Sequence, residues 1–210
     1  MQKTIKENVT CEIVEKKSKF IANLFYVQSE EEAEEILRNI RKKYYDARHN
    51  CYAYRIMSKD GEISKSSDDG EPSGTAGAPM LNILQKNEII NVLVVVTRYF
   101  GGILLGTGGL VRAYSEALIE AVEKAEFVIE ELGCEIKVIL SYNDLEKLEY
   151  YCKQNNLNIV KTEYTDKISC IIEMNKEEKE KFIKDLNQMN YKIEKYEIIK
   201  EKNIRKNIEI

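Results

Sequence analysis

Apolar and polar residues alternate at the start of the chain and then change to a helical spacing, which indicates a mixed α and β fold. Ser29 followed by Glu32 has the form of a capping box, and the apolar residues after it recur every three or four positions. Residues 89–97 are almost continuously apolar, so we expect this strand at the centre of a sheet with both faces buried. The elements predicted here are strands Thr4–Val14, Phe20–Val27 and Cys51–Ile56, a helix over 30–45, a long loop Ser58–Pro79, a short helix opened by Pro79, the strand Ile89–Thr97, and a helix from near Gly108 to Val122.

The last third of the chain has the order β-α-β-β-α-β, which predicts a ferredoxin-like split βαβ unit with helices on one face of its sheet. Gly133 separates this unit from the first, giving domains 1–132 and 133–210. Asn143 and Asn175, each with a glutamate three residues later, are the expected helix caps. The predicted elements are strand Cys134–Leu140, helix 144–154, strands Asn158–Glu163 and Ile168–Met174, helix 176–188 and strand Lys192–Ile199, followed by either an edge strand or a frayed tail.

Composition narrows the classes of function. The net charge of −4 falls on residues 1–132, while residues 133–210 carry 15 basic and 15 acidic side chains, so any contact with a polyanion must be a local patch. No apolar run approaches the roughly 20 residues that cross a bilayer, and the N-terminus lacks the pattern of a secretory signal, so we expect a cytoplasmic protein. Five cysteines without a C-x-x-C pair and a single histidine argue against a disulfide framework, a zinc knuckle or a multi-histidine metal site. No cofactor is expected.

The segment from Arg98 to Gly109 leaves the apolar strand and enters a helix, which is the most informative pattern in the chain. Free N–H groups at a helix start, together with glycines that let a ligand approach the backbone, form anion sites, and Arg98 and Arg112 could supply a charged fork. The Walker and dinucleotide motifs both fail, and the alternative is that the glycines only permit tight turns and close packing. The candidate glycines are Gly101, Gly102, Gly106, Gly108 and Gly109.

Two further groups carry candidate chemistry. Asp68, Asp69 and Glu71 are three carboxylates on a loop, where they are either solvated or hold a magnesium ion that bridges to a phosphate. His49 follows Arg48 at a strand start and is either a general base, a phosphate donor or a structural residue. No serine or cysteine can be assigned as a nucleophilic partner of His49 from the sequence.

Three segments together resemble the signatures of the IMPACT family: Asp46-Ala-Arg-His49, Ser67-Asp-Asp-Gly-Glu-Pro-Ser-Gly-Thr-Ala-Gly77, and the run from Arg98 to Tyr114. The last unit is similar to the extra C-terminal domain of the bacterial YigZ branch of that family. The resemblance implies a first domain like the second domain of a small-subunit ribosomal protein, and a second domain like a ferredoxin-like module of elongation factor G. Both point toward translation. The resemblance supplies no enzymatic activity, and fold similarity alone is an associational argument.

The leading hypothesis is therefore a non-enzymatic protein that binds RNA or the ribosome and modulates translation. Its anion site would consist of the five glycines with Arg98 and Arg112, and with Arg48 and His49 nearby. One alternative is a magnesium-dependent phosphoester or nucleotide enzyme that uses Asp68, Asp69 and Glu71 as ligands and His49 as base. Another is a protein-binding regulator that makes no contact with nucleic acid.

Overall fold

The structure is a computed structural model that describes residues 2–58, 61–186 and 192–207. The chain forms two compact units, and the second consists of Glu130–Lys206. Within the described ranges, no helix combines the length and the apolar character that crossing a bilayer requires.

The first unit is an antiparallel sheet with helices on both faces. Its elements are β1 (Lys3–Ile5), β2 (Val9–Glu15), β3 (Ser18–Tyr26), α1 (Glu30–Lys43), β4 (His49–Ser58), β5 (Gly61–Ser67), α2 (Gly77–Lys86), β6 (Val92–Tyr99), α3 (Gly106–Lys124) and the beginning of β7 (Phe127–Leu140). The sheet has the order β2-β3-β6-β4-β5. β1 lies outside this sheet and pairs with residues 127–129 of β7.

The central position predicted for the apolar strand is confirmed, because β6 lies between β3 and β4. Its side chains alternate between two cores. Val94 and Val96 pack with α2 and α3, while Leu93 and Val95 pack with α1 on the opposite face. Burial on both faces explains the continuous apolar run, which a half-exposed strand would not show.

The prediction of a long loop from Ser58 to Pro79 is partly wrong, because β5 occupies Gly61–Ser67 and pairs with β4. β5 is an edge strand whose side chains are exposed or half-buried, so it lacks the apolar alternation by which strands are recognised. Two helices begin earlier than predicted: α2 begins at Gly77 and α3 at Gly106. The single strand predicted over Thr4–Val14 is divided into β1 and β2.

The second unit has the ferredoxin-like arrangement that the order of its elements predicted. Its remaining elements are α4 (Leu145–Gln154), β8 (Asn158–Tyr164), β9 (Ile168–Asn175), α5 (Lys176–Leu186) and β10 (Ile193–Asn207). β7 lies between β10 and β9, and β8 pairs with the other side of β9. Leu148 and Cys152 of α4 and Phe182 of α5 are buried in one core with alternate residues of β7 and β9.

Several details of the second unit differ from the prediction. Gly133 does not interrupt the chain but lies within β7, where it pairs with Asn175 of β9. Asn143 is not the N-cap of α4, because it lies within a short 3₁₀ turn that precedes the helix. The N-cap residue of α4 is Asp144. The capping box of α5 is confirmed, since the Glu178 amide donates to Asn175 Oδ1 at 2.8 Å and the Asn175 amide donates to Glu178 Oε2 at 2.9 Å. β10 extends through Asn207, whereas the last two residues of the helix predicted over 176–188 lie outside the described residues.

Candidate functional site at one end of the first sheet

The three signature segments meet at one end of the first sheet. Neighbouring strands there are antiparallel, so the end of β6 lies beside the start of β3 and the start of β4, and the end of β5 lies beside the start of β4. The segments that precede or follow these strand ends are residues 16–17, 44–48, 68–76 and 100–105. We call this set of residues, with the first two turns of α3, the motif end.

Asp68 caps helix α2. Its Oδ1 accepts hydrogen bonds from the amides of Ala76 at 2.8 Å and Gly77 at 2.9 Å, and its Oδ2 accepts one from the amide of Gly74 at 2.8 Å. Burial alone would raise the pKa of Asp68, but these backbone N–H groups outweigh burial and hold the pKa below its ordinary value. The carboxylate therefore serves the start of α2, where the free N–H groups favour a negative charge.

Asp69 ties the same loop to α1 and β4. Its Oδ1 accepts from Nη2 of Arg41 at 2.7 Å, and its Oδ2 accepts from the Asn50 amide at 2.7 Å. Its backbone carbonyl lies 2.9 Å from Nδ1 of His49. The half-buried His49 thus holds the loop, and Arg48 before it is exposed.

Glu71 and Arg98 form a buried ion pair. Nη1 of Arg98 lies 2.6 Å from Oε1 of Glu71, and the two side chains are 8% and 4% exposed. The same Oε1 accepts a hydrogen bond from the Tyr114 hydroxyl of α3 at 2.9 Å. The Arg98 guanidinium also lies over the rings of Phe20 and Phe100, at 5.5 and 5.6 Å. Arg98 therefore faces the interior and its charge is compensated, so it does not form the exposed fork expected from the sequence.

The carboxylates of the loop do not converge as metal ligands. Asp68 is bound by backbone amides, Asp69 by Arg41 and Glu71 by Arg98. Across residues 2–58, 61–186 and 192–207, no three His, Cys, Asp or Glu side chains are grouped so that they could hold a metal ion. The expectation of a magnesium site on Asp68, Asp69 and Glu71 is therefore not supported, because each carboxylate turns to a different partner.

Cys51 lies beside this buried network without acquiring the character of a nucleophile. Its Sγ is 3.3 Å from the Tyr114 hydroxyl, and it also donates to the Asp68 carbonyl at 2.9 Å. Burial raises the pKa of Cys51 to about 12, so the thiol stays protonated near neutral pH. Burial also raises the pKa of the Tyr114 hydroxyl.

The glycine loop has two distinct parts. Gly101 packs on the turn before β3, where an added Cβ would lie 2.0 Å from the Lys17 carbonyl carbon, and Gly109 lies against the Leu105 side chain. By contrast, the Cβ position of Gly108 has no neighbour within 4 Å, and Gly102 and Gly106 have positive φ angles of 84° and 69° with open space around them. The packing role and the anion-site role considered for the glycines therefore fall on different residues. Gly101 and Gly109 serve packing, whereas Gly102, Gly106 and Gly108 leave the backbone open to solvent.

Helix α3 begins in this open part of the loop. Leu105 precedes the helix and provides no side-chain cap, and the first turn contains no acidic residue. Arg112 is exposed on the second turn. The motif end therefore presents free backbone N–H groups and a cation on the same helix.

Sequence reasoning missed two features of the motif end. Lys16 and Lys17 form the turn between β2 and β3, both have positive φ angles and exposed side chains, and the backbone of Lys17 packs against Gly101. Phe100 and Leu104 are 51% and 84% exposed within the glycine loop. A lysine pair between two predicted strands could have marked the first feature, but its contact with Gly101 joins residues far apart in the chain.

Comparison with known proteins agrees with this architecture. Residues 16–122 match the model of the Impact N-terminal domain, and residues 138–189 match a domain of unknown function, DUF1949. The chain is thus a two-domain α+β protein with an Impact-type first domain. It belongs to the IMPACT family.

The relatives span most of the chain. IMPACT family member YvyE of Bacillus subtilis is 40% identical over 165 residues, which are 79% of this chain and 76% of that protein. IMPACT family member YigZ of Escherichia coli is 37% identical over 150 residues, 71% of this chain and 74% of that protein. A crystal structure of a hypothetical protein is 30% identical and superposes with a TM-score of 0.62, covering 92% of this chain and 97% of the other.

Proposed function

We propose that this chain is a cytosolic, non-enzymatic protein that binds RNA or the ribosome through the motif end and thereby modulates translation. The single observation that carries the proposal is the open start of α3, where N–H groups without a side-chain cap face a glycine loop. A helix start carries about half a positive elementary charge, and glycines allow a phosphate to approach the backbone.

The charges around this loop also support an anionic ligand. Lys16, Lys17, Arg48 and Arg112 are exposed at the motif end. The three carboxylates of the neighbouring loop are engaged with backbone amides, with Arg41 and with Arg98, and not with these four cations. Arg98 is removed from the proposed ligand set because Glu71 neutralises it, and His49 is assigned to holding the loop.

A binding role suits the chemistry of the site better than catalysis. The thiol of Cys51 has a raised pKa, and His49 Nδ1 is directed at the Asp69 carbonyl at 2.9 Å. A nucleophile needs a lowered pKa or an adjacent base. The pKa of Cys51 is raised, and its thiol contacts the Asp68 carbonyl and the Tyr114 hydroxyl rather than the His49 ring. The proposal that the protein is not an enzyme rests on this arrangement.

Translation is proposed as the setting because the chain belongs to the IMPACT family. The family resemblance implies a first domain like a domain of a small-subunit ribosomal protein and a second like a module of elongation factor G. Fold resemblance is an associational argument, so the ribosome must be tested directly.

The test is co-sedimentation with ribosomes and with ribosomal RNA at low and rising salt. We expect Lys17→Ala with Arg112→Ala to weaken sedimentation. The slope of log K against log salt should also become shallower, by about one for each phosphate that the variant no longer neutralises. The charge-matched control is Lys153→Ala with Lys184→Ala, since both lysines are exposed on the second unit.

If the variant with Lys17→Ala and Arg112→Ala sediments like the wild type, the assignment of the motif end is wrong. If the protein still captures a partner from a ribosome-free lysate after nuclease treatment, the protein-binding alternative is favoured.

A further inference from the structure

An exposed aromatic side chain stands at the root of the glycine loop. Phe100 follows β6 directly and is 51% exposed, and Ile103 and Leu104 beyond it are 41% and 84% exposed. Solvated apolar side chains are common singly, but three within five residues next to open glycines form a small patch. The anion site of the proposed function does not account for this patch.

Phe100 is held from within the molecule. The Arg98 guanidinium lies 5.6 Å from its ring centroid and 5.5 Å from that of Phe20, which is fully buried. The ion pair with Glu71 fixes the guanidinium, and Phe20 in turn makes an edge contact with Tyr114 at 5.1 Å. An arginine over an aromatic face is an attractive contact, so the Phe100 ring has a supported side and a solvated side.

The lysine turn packs through its backbone against the residue that follows this ring. The Lys17 carbonyl group lies against Gly101, and the side chains of Lys16 and Lys17 are exposed. The charge of Arg98 is compensated internally by Glu71, so the cations available to a ligand here are those of the lysine turn, with the N–H groups at the start of α3. A flat apolar ring beside cations and backbone amides matches a ligand with a planar base and a phosphate, which is a nucleotide of a single strand.

Resting on the proposed function, we propose that Phe100 stacks on an unpaired base of a single-stranded RNA whose phosphates are held by the lysine turn and the glycine loop. The ligand is then single-stranded, because bases inside a duplex are already stacked on each other. The sequence preference is weak, since every base offers a π face.

The experiment compares four probes by fluorescence anisotropy at low salt: a short single-stranded RNA, the duplex of the same sequence, the same strand with abasic sites, and inorganic polyphosphate. The variants are Phe100→Leu, which removes the ring, and Phe100→Tyr, which keeps it. We expect Phe100→Leu to weaken binding of the single strand about five- to 100-fold, as loss of one stacked base does, and Phe100→Tyr to retain it. We expect the abasic strand to bind more weakly than the RNA and to be insensitive to Phe100→Leu. Thermal unfolding of both variants checks that they fold.

The outcomes separate the two proposals. If the single strand binds Phe100→Leu as it binds the wild type while Lys17→Ala with Arg112→Ala is weakened, stacking is refuted and the anion site stands. If the duplex binds as tightly as the single strand, or if Phe100→Leu weakens the abasic strand equally, stacking is also refuted. If none of the four probes binds, the proposed binding of RNA through the motif end is refuted, and the stacking proposal that rests on it is refuted as well. Binding to phosphatidylglycerol vesicles in place of RNA, lost in Phe100→Leu, would assign the ring to a lipid surface and overturn the proposal.

Discussion

Neutralising Glu71 tests the buried ion pair on which the motif end is built. Glu71→Gln keeps the shape of the side chain but leaves the Arg98 charge without its carboxylate partner in a site where Arg98 is only 8% exposed. The buried Nε of Arg98 has no hydrogen-bond partner among the described residues, so that atom does not offset the missing charge. Removing one partner of a buried pair typically costs about 3–5 kcal/mol.

The assay is urea and thermal unfolding followed by far-ultraviolet circular dichroism, because the chain contains no tryptophan. At about 3 °C per kcal/mol for a unit of this size, the expected cost lowers the Tm of the first unit by about 10–15 °C. Hydrogen exchange of the β6 amides would show whether the destabilisation falls in the first unit.

A second variant separates charge from packing. Glu71→Gln combined with Arg98→Met removes both charges, and we expect it to recover most of the stability that Glu71→Gln alone loses. Glu163→Gln is the exposed control, since its ion pair with Lys161 lies on the surface and its midpoint should not move. A Glu71→Gln variant within about 1 kcal/mol of the wild type would refute the reasoning, because a buried guanidinium without a partner cannot be that inexpensive.

The remaining predictions concern the loops around this pair. Asp68→Ala should destabilise the first unit by about 1–2 kcal/mol, as loss of a helix cap does, measured by urea unfolding. The pKa of Asp68 is lowered in the folded state, so its contribution to stability is present above the unfolded pKa and is lost as pH falls through the folded pKa. The loss of stability in the variant should therefore shrink in acid. A loss of stability that does not depend on pH would contradict this. Gly101→Ala should destabilise the first unit by about 1–3 kcal/mol, because its Cβ would overlap the Lys17 backbone. Gly108→Ala should be neutral or stabilising, because its Cβ would have no neighbour within 4 Å. Equal melting temperatures for the two variants would disprove the packing assignment.

Local patterns predicted the elements whose signal lies within a few residues. The capping box at Asn175 is confirmed by both of its hydrogen bonds. At Ser29 the side-chain cap is confirmed by the Glu32 amide, while the Glu32 carboxylate accepts from the Gln28 amide instead of the Ser29 amide. The continuous apolar run of β6 correctly indicated a central strand, and the order of elements correctly indicated the ferredoxin-like unit. Each of these features is set by helix or strand period and by neighbouring side chains.

The sequence could not reveal features that depend on distant partners. β5 was missed because an exposed edge strand needs no apolar alternation. Arg98 was expected at a ligand, but the fold brings Glu71 to its guanidinium from a separate loop. Asp68 and Asp69 suggest a cluster because they are adjacent in sequence, whereas the structure directs their carboxylates to the start of α2 and to Arg41. For both the arginine and the carboxylates, a long-range contact decides between two interpretations that the local pattern leaves open.

The pairing of β1 with the beginning of β7 has a consequence for synthesis of the chain. Thr4 is aligned with Val128, and Ile5 with Phe127. Ile5 is fully buried. In a nascent chain, β1 therefore cannot pair with its partner until residues 127–129 have left the ribosome. β1 is synthesised before the rest of its unit, yet it is among the last elements to pair. A fragment cut after Lys124 would leave Ile5 without this partner, and one meant to fold alone should extend through Ile129.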